Sequence, residues 1–189
     1  MGRIVKVLLA IVAVVIAVVA VRSGYDTGKR VIYPLAYEDL IVKYAEENKL
    51  DRYLVMAVIK VESNYIPDAH SGKASGLMQL TDETAKWVCQ KMGTKFHLED
   101  LMDPEQNVKM GCFYLKYLID RYENTDVALA AYNGGMGNVA KWLSDKEYSS
   151  DGKTLKVENI PFKETREYVQ KVNRNWEHYK QMYDPAVTK

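Results

Sequence analysis

In residues 58 to 80, VIKVESNYIPDAHSGKASGLMQL, an apolar helical stripe ends on an acid. Leu54, Val55, Val58 and Ile59 recur at steps of three and four, and the next position on that face is Glu62. The spacing aims its carboxyl at the core side, at the helix's C-terminal end, beside an irregular stretch starting at Asn64. Burial disfavours the carboxylate there, and the negative end of the helix dipole disfavours it further. No Lys or Arg follows within several residues, and Lys60 points to another face. A carboxyl held protonated near neutral pH has the property that a general acid needs. Taken alone, a glutamate at a helix end reads equally as a cap or a surface partner. Its neighbours decide between these readings.

The elements that must position Glu62 are helical almost throughout. Pro34 suits a first helical turn, and Leu40, Ile41, Tyr44 and Ala45 form one stripe. Pro67, Gly72 and Gly76 mark a loop after Glu62. Thr81 is a good N-cap with Asp82 and Glu83 in the first turn, and Gly93 closes that helix. Asp103-Pro104 opens a helix through Val108, Cys112, Leu115 and Leu118. Asp126 is the expected cap of VALAAYN, which Gly134-Gly135 ends, and a short helix follows around Val139 to Leu143. Residues 144 to 160 read as a polar loop before a last helix from Lys163 to Tyr183. No alternating strand and no repeat is legible. The expected class is all-α, a compact multi-helix domain.

Four blocks stand in order along this framework: ES (62–63), GLMQL (76–80), AAYNGG (130–135) and IPFKETREYVQKV (160–172), with DPEQNVKMGCFYL (103–115) between them. Together they resemble the catalytic domain of the soluble-type lytic transglycosylases, which share a goose-lysozyme-like fold, over residues 35 to 183. The resemblance implies cleavage of the β-1,4 bond between N-acetylmuramic acid and N-acetylglucosamine in peptidoglycan, without water and leaving a 1,6-anhydro end. It implies that Glu62 acts first as acid and then as base, with no metal or organic cofactor. It also places Ser71 near the muramic acid N-acetyl or lactyl group, Tyr132 and Asn133 beside the catalytic centre, Tyr168 facing it from the last helix, and Glu164 near peptide-stem contacts. Ser63 either orients the Glu62 carboxyl or satisfies a helix-end carbonyl. Gly72 and Gly76 are expected to let backbone approach a sugar, and Met78 and Gln79 to line the groove, the amide pairing with sugar hydroxyls.

Two departures from the family pattern stand out. Thr81 occupies a place where members often carry methionine, and Gly135-Met136 replaces part of an Ala-Gly-Pro-Gly run. Asp68, Asp82 and Glu83 read as loop or cap residues rather than a second catalytic acid, which ordinary glycosidases require. A lysozyme-like hydrolase on the same fold and a non-catalytic wall-binding module are the alternatives.

With 189 residues and a net charge of +1, the chain holds one sizeable domain and carries no basic patch for nucleic acid. A monomer is expected. From Val7 to Val21 there is no polar residue, a length between a signal core and a membrane span. Residues 1 to 22 are therefore expected to be a transmembrane anchor, or a removed signal with Val18-Val19-Ala20 as its cleavage site. Lys6 would snorkel to the interface. Residues 23 to 34 would be a linker broken by Gly24 and Gly28, and 35 to 189 the catalytic domain, delivered outside the cytoplasm. Cys89 and Cys112 are compatible with one disulfide and equally with two buried thiols. Without a clustered His pair they make no zinc site.

Overall fold

Caps and stripes combine to build the helices in the computed structural model, which describes residues 2 to 187. The chain divides into two units, one up to Ala36 and one from Tyr37 on. The first is the helix α1 (Gly2–Ile32). It runs through both Gly24 and Gly28, where a linker was expected. Each helical glycine costs only about 1 kcal/mol relative to alanine. Among the described residues no helix is long and apolar enough to cross a membrane. The expected anchor or signal comprises residues 1 to 22. Of that stretch, Met1 and the side chains of 3–7, Lys6 among them, lie outside the described residues, as do those of 9 and 10.

The second unit contains α2 (Glu38–Glu47), α3 (Arg52–Ser63), α4 (Asp82–Met92), α5 (Pro104–Tyr122), α6 (Thr125–Gly134), α7 (Met136–Ser144) and α8 (Lys163–Tyr183). Short 3-10 turns stand at Leu98–Leu101 and Val157–Asn159. Asp51, Thr81 and Asp103 each accept a backbone N–H at the start of α3, α4 and α5. Gly93 takes the left-handed conformation that closes α4. At α6 the cap is Asn124, which accepts from Val127 N, rather than Asp126. Asp126 sits in the first turn and accepts from Asn173 on α8 at 2.7 Å. Pro34 precedes α2 by four residues and lies outside it.

The all-α expectation also missed a small sheet. β1 (His70–Ser71), β2 (Ala74–Ser75) and β3 (Leu80–Thr81) pair antiparallel in that order. Two residues per strand are too few to leave an alternating signal. The sheet lies between α3 and α4 in sequence, so the chain leaving Glu62 is folded back before the next helix starts.

The core sits between α3, α5, α6 and α8. Met56, Ile59, Leu115, Leu118, Leu129 and Tyr179 are fully buried. The Tyr53 hydroxyl donates to the Tyr183 carbonyl, and Trp176 Nε1 donates to Asp51, so the start of α3 meets the end of α8. The two helices therefore run antiparallel, which brings the end of α3 to the early turns of α8.

Candidate active site

Glu62 lies in the last turn of α3, half-buried. The helix stops one residue later because Asn64 turns left-handed (φ 49°) and its N–H closes on Lys60 O. Burial is the largest influence on the Glu62 carboxyl. The nearby charge of Glu164 pushes the same way, the Tyr168 hydroxyl opposes both, and the outcome is a pKa raised to about 7.

Two tyrosines face this acid. Tyr132, from the end of α6, and Tyr168, from α8, have parallel rings 6.5 Å apart. Their phenols are pushed well above the ordinary value, first by burial and then by the charge of Glu62. The Tyr132 hydroxyl is committed, donating to Met78 O at 2.8 Å. The Tyr168 hydroxyl is buried with no partner at hydrogen-bond distance, although it stands close enough to Glu62 to lower that carboxyl's pKa. Glu62, Tyr132, Tyr168 and exposed Glu164 thus converge, from three helices that are distant in sequence.

The remaining expected residues stand behind this centre. The Ser63 hydroxyl is buried within reach of Ile59 O (3.1 Å) and Leu77 O (2.8 Å), so it satisfies carbonyls. Met78 was expected to line a groove and is instead fully buried, packed where a Cβ on Gly111 would fall. Gln79 was expected to offer its amide to sugar. Its Nε2 donates to Ala69 O (2.9 Å) and Gly76 O (2.8 Å), and its Oε1 accepts from Ser71 at 2.6 Å. The amide is consumed in holding the hairpin, while Ser71 itself remains exposed on β1.

Gly76 has φ +81°, and a Cβ there would lie 2.2 Å from Leu101 O and 2.3 Å from Asn107 Nδ2. The close approach that glycine permits here is to the protein's own chain. Gly72 has φ +60° and open space around it, so only its turn conformation calls for glycine. Asn133 accepts from Thr165 Oγ1 at 2.8 Å, joining α6 to α8. Cys89 and Cys112 are both buried free thiols, with Cys89 Sγ resting 3.6 Å from Met110 Sδ.

Sequence reasoning missed Asn107. Fully buried on α5, it donates to Ser75 O (3.0 Å) and Leu101 O (2.9 Å) and accepts from Met78 N (2.8 Å). The signal was present, since Asn107 shares a face with Gly111 and Leu115 as Glu62 does with Val58. A cavity of about 350 Å³ lined by Glu83, Thr84, Trp87, Tyr114 and Gly135–Gly137 was also missed. The Tyr114 ring lies 5.3 Å from that of Tyr132, tilted by 45°, so the cavity opens one ring away from the Glu62 centre.

The fold is that of the lytic transglycosylases. The crystal structure of an inactive glutamate-to-glutamine mutant of the lytic transglycosylase Slt from Pseudomonas aeruginosa superimposes with a TM-score of 0.73 and 34% identity, over 81% of this chain and 25% of that one. The chain belongs to the transglycosylase SLT domain family, whose family model matches residues 39–155. It is 36% identical over 144 residues to the soluble lytic murein transglycosylase of Escherichia coli K12, covering 74% of this chain and 22% of that protein. It is 32% identical over 169 residues to the membrane-bound lytic murein transglycosylase C of Edwardsiella ictaluri, covering 77% and 47%. The chain therefore spans about a fifth to a half of the length of these relatives.

Proposed function

We propose that this chain is a peptidoglycan lytic transglycosylase, cleaving the N-acetylmuramic acid–β-1,4–N-acetylglucosamine bond at the cell envelope. The observation that carries this reading is the Glu62 carboxyl, raised to about 7 beside Tyr132 and Tyr168. At that value it is protonated in part at neutral pH and so able both to give and to take a proton. Glu62 first donates its proton to the glycosidic oxygen, and the bond to C1 breaks as the N-acetylglucosamine side leaves. The muramic acid N-acetyl group helps hold the cationic sugar. The Glu62 carboxylate then removes the proton of the C6 hydroxyl while that oxygen bonds to C1. The 1,6-anhydro ring closes, the acid is restored and no water is consumed.

A single carboxyl suffices for this cycle; the other acid whose charge reaches Glu62, Glu164 on α8, is exposed and acts on it only through that charge. Asp82 and Glu83 are exposed in the first turn of α4, where the helix N-terminus favours anions. In this reading Tyr132 and Tyr168 face the reacting sugar, Ser71 and Glu164 lie at the rim, and Ser63, Gly76, Met78, Gln79 and Asn133 hold the walls. The name of the Pseudomonas relative as an inactive glutamate-to-glutamine mutant supports a glutamate in this role.

Digestion of purified sacculi followed by mass spectrometry of the released fragments tests it. Anhydro ends, lighter by one water than hydrolysed ends, are expected from the wild type and not from Glu62→Gln. Hydrated ends alone would make the protein a muramidase. Binding to sacculi without any solubilisation by the wild type would make it a wall-binding module.

A further inference from the structure

The turn that follows Glu62 is strained, and its strain is held in place by a pair of hydroxyls. Asn64 and Tyr65 are consecutive non-glycine residues with positive φ, 49° and 65°. Left-handed backbone is unusual for a bulky residue and persists only where the surroundings over-determine it. Here the surroundings do so through the Tyr65 side chain, which is 7% exposed. The double left-handed reversal sends that ring back along α3, where its hydroxyl lies 3.2 Å from Met56 O, two turns before Glu62. The same hydroxyl pairs with the Tyr179 hydroxyl at 2.8 Å. Tyr179 is fully buried on α8.

Tyr168 and Tyr179 are eleven residues apart on α8, about three turns, and so share one face of that helix. One face of α8 therefore presents Tyr168 towards the Glu62 carboxyl and Tyr179 to the turn that ends the Glu62 helix. We infer that Tyr65 and Tyr179 form a positioning pair for Glu62: their joined hydroxyls lock the left-handed turn after α3 onto α8, and so set how the Glu62 carboxyl meets Tyr168. Neither tyrosine touches the reacting sugar in this arrangement. Both act through the backbone on which Glu62 stands.

The inference deepens the proposed function and rests on it only for the meaning of activity. Loss of either hydroxyl releases the turn, so the carboxyl gains water and moves relative to Tyr168 and Glu164 on α8 and Tyr132 on α6. Its titration must then fall towards that of an ordinary carboxylate, which a purely structural loss elsewhere would not produce.

Tyr65→Phe and Tyr179→Phe keep both rings and remove one hydroxyl each. In the full chain without substrate, carbon-13 NMR of labelled glutamate, with the Glu62 signal identified by its loss in Glu62→Gln, gives the titration midpoint directly. Each variant is expected to lower the wild-type midpoint by at least half a pH unit. Each is also expected to lower kcat on glycan strands about tenfold with KM within about twofold, a fraction of the roughly hundredfold that a 1 Å misplacement costs. A wild-type midpoint and an unchanged kcat in a folded variant overturn the inference. Should Tyr65→Phe fail to fold, Tyr179→Phe decides alone; should both fail, the hydroxyl pair serves folding rather than the placing of Glu62, and the inference falls. If Glu62→Gln itself keeps full activity, the catalytic reading fails, while the NMR midpoint still judges the positioning pair.

Discussion

The Ser63 hydroxyl, one residue beyond Glu62, stands 2.8 Å from the carbonyl of Leu77, fourteen residues further on. It ties the end of the acid-bearing helix to the loop that carries Met78 and Gln79. Ser63→Ala leaves that buried carbonyl unpaired, and a loss of about 1–2 kcal/mol is expected in urea unfolding. A variant as stable as the wild type would show the tie to be idle.

The raised pKa of Glu62 makes a paired statement about activity and stability. The acid form starts the reaction, so turnover should decline as pH rises through about 7. The folded value also lies above the ordinary value of 4.5, so the folded protein holds this proton more tightly than the unfolded chain. Below about 4.5 both states are protonated and nothing is lost. Between 4.5 and 7 stability declines, by about 3 kcal/mol at most at 1.36 kcal/mol per unit. Glu62→Gln, inactive, should therefore be more stable than the wild type at pH 8 and indistinguishable from it at pH 4, as thermal melts at both values will show.

Tyr168 and Glu164 act on the same carboxyl with opposite signs. The Tyr168 hydroxyl lowers its pKa and the Glu164 charge raises it. Tyr168→Phe should move the alkaline fall of activity to higher pH, and Glu164→Gln should move it to lower pH. Because Glu164 is exposed, its shift should shrink as salt is added, whereas the Tyr168 shift should persist. Shifts in the same direction for both variants would contradict this geometry.

Asn107 concentrates three hydrogen bonds in a fully buried side chain. Asn107→Leu strands Met78 N and the carbonyls of Ser75 and Leu101, so a loss of about 3 kcal/mol or more is expected by chemical denaturation. Gly76→Ala should be comparably harmful, since its Cβ would overlap both Leu101 O and the Asn107 amide.

Cys89 and Cys112 should both react with a thiol reagent only after unfolding, giving two thiols per chain without reductant. A mass two hydrogens lighter in the unreduced protein would indicate a bond between them.

Local patterns decided much of this molecule. The 3.6-residue period and the caps at Thr81, Asp103 and Gly93 were enough to place most helices, because each depends on neighbours within a turn or two. Glu62 was legible for the same reason: it is the residue that breaks an apolar stripe. What the period cannot report is where a polar group finds its partner. Met78 N pairs with Asn107 across 29 positions, Tyr132 with Met78 O across 54, and Tyr65 with Tyr179 across 114. Those pairings turned Gln79 and Met78 inward, gave Gly76 its reason and left the cysteines unbonded. A side chain's type states which hydrogen bonds it must make once buried, but only the packing of distant segments decides which groups are there to make them.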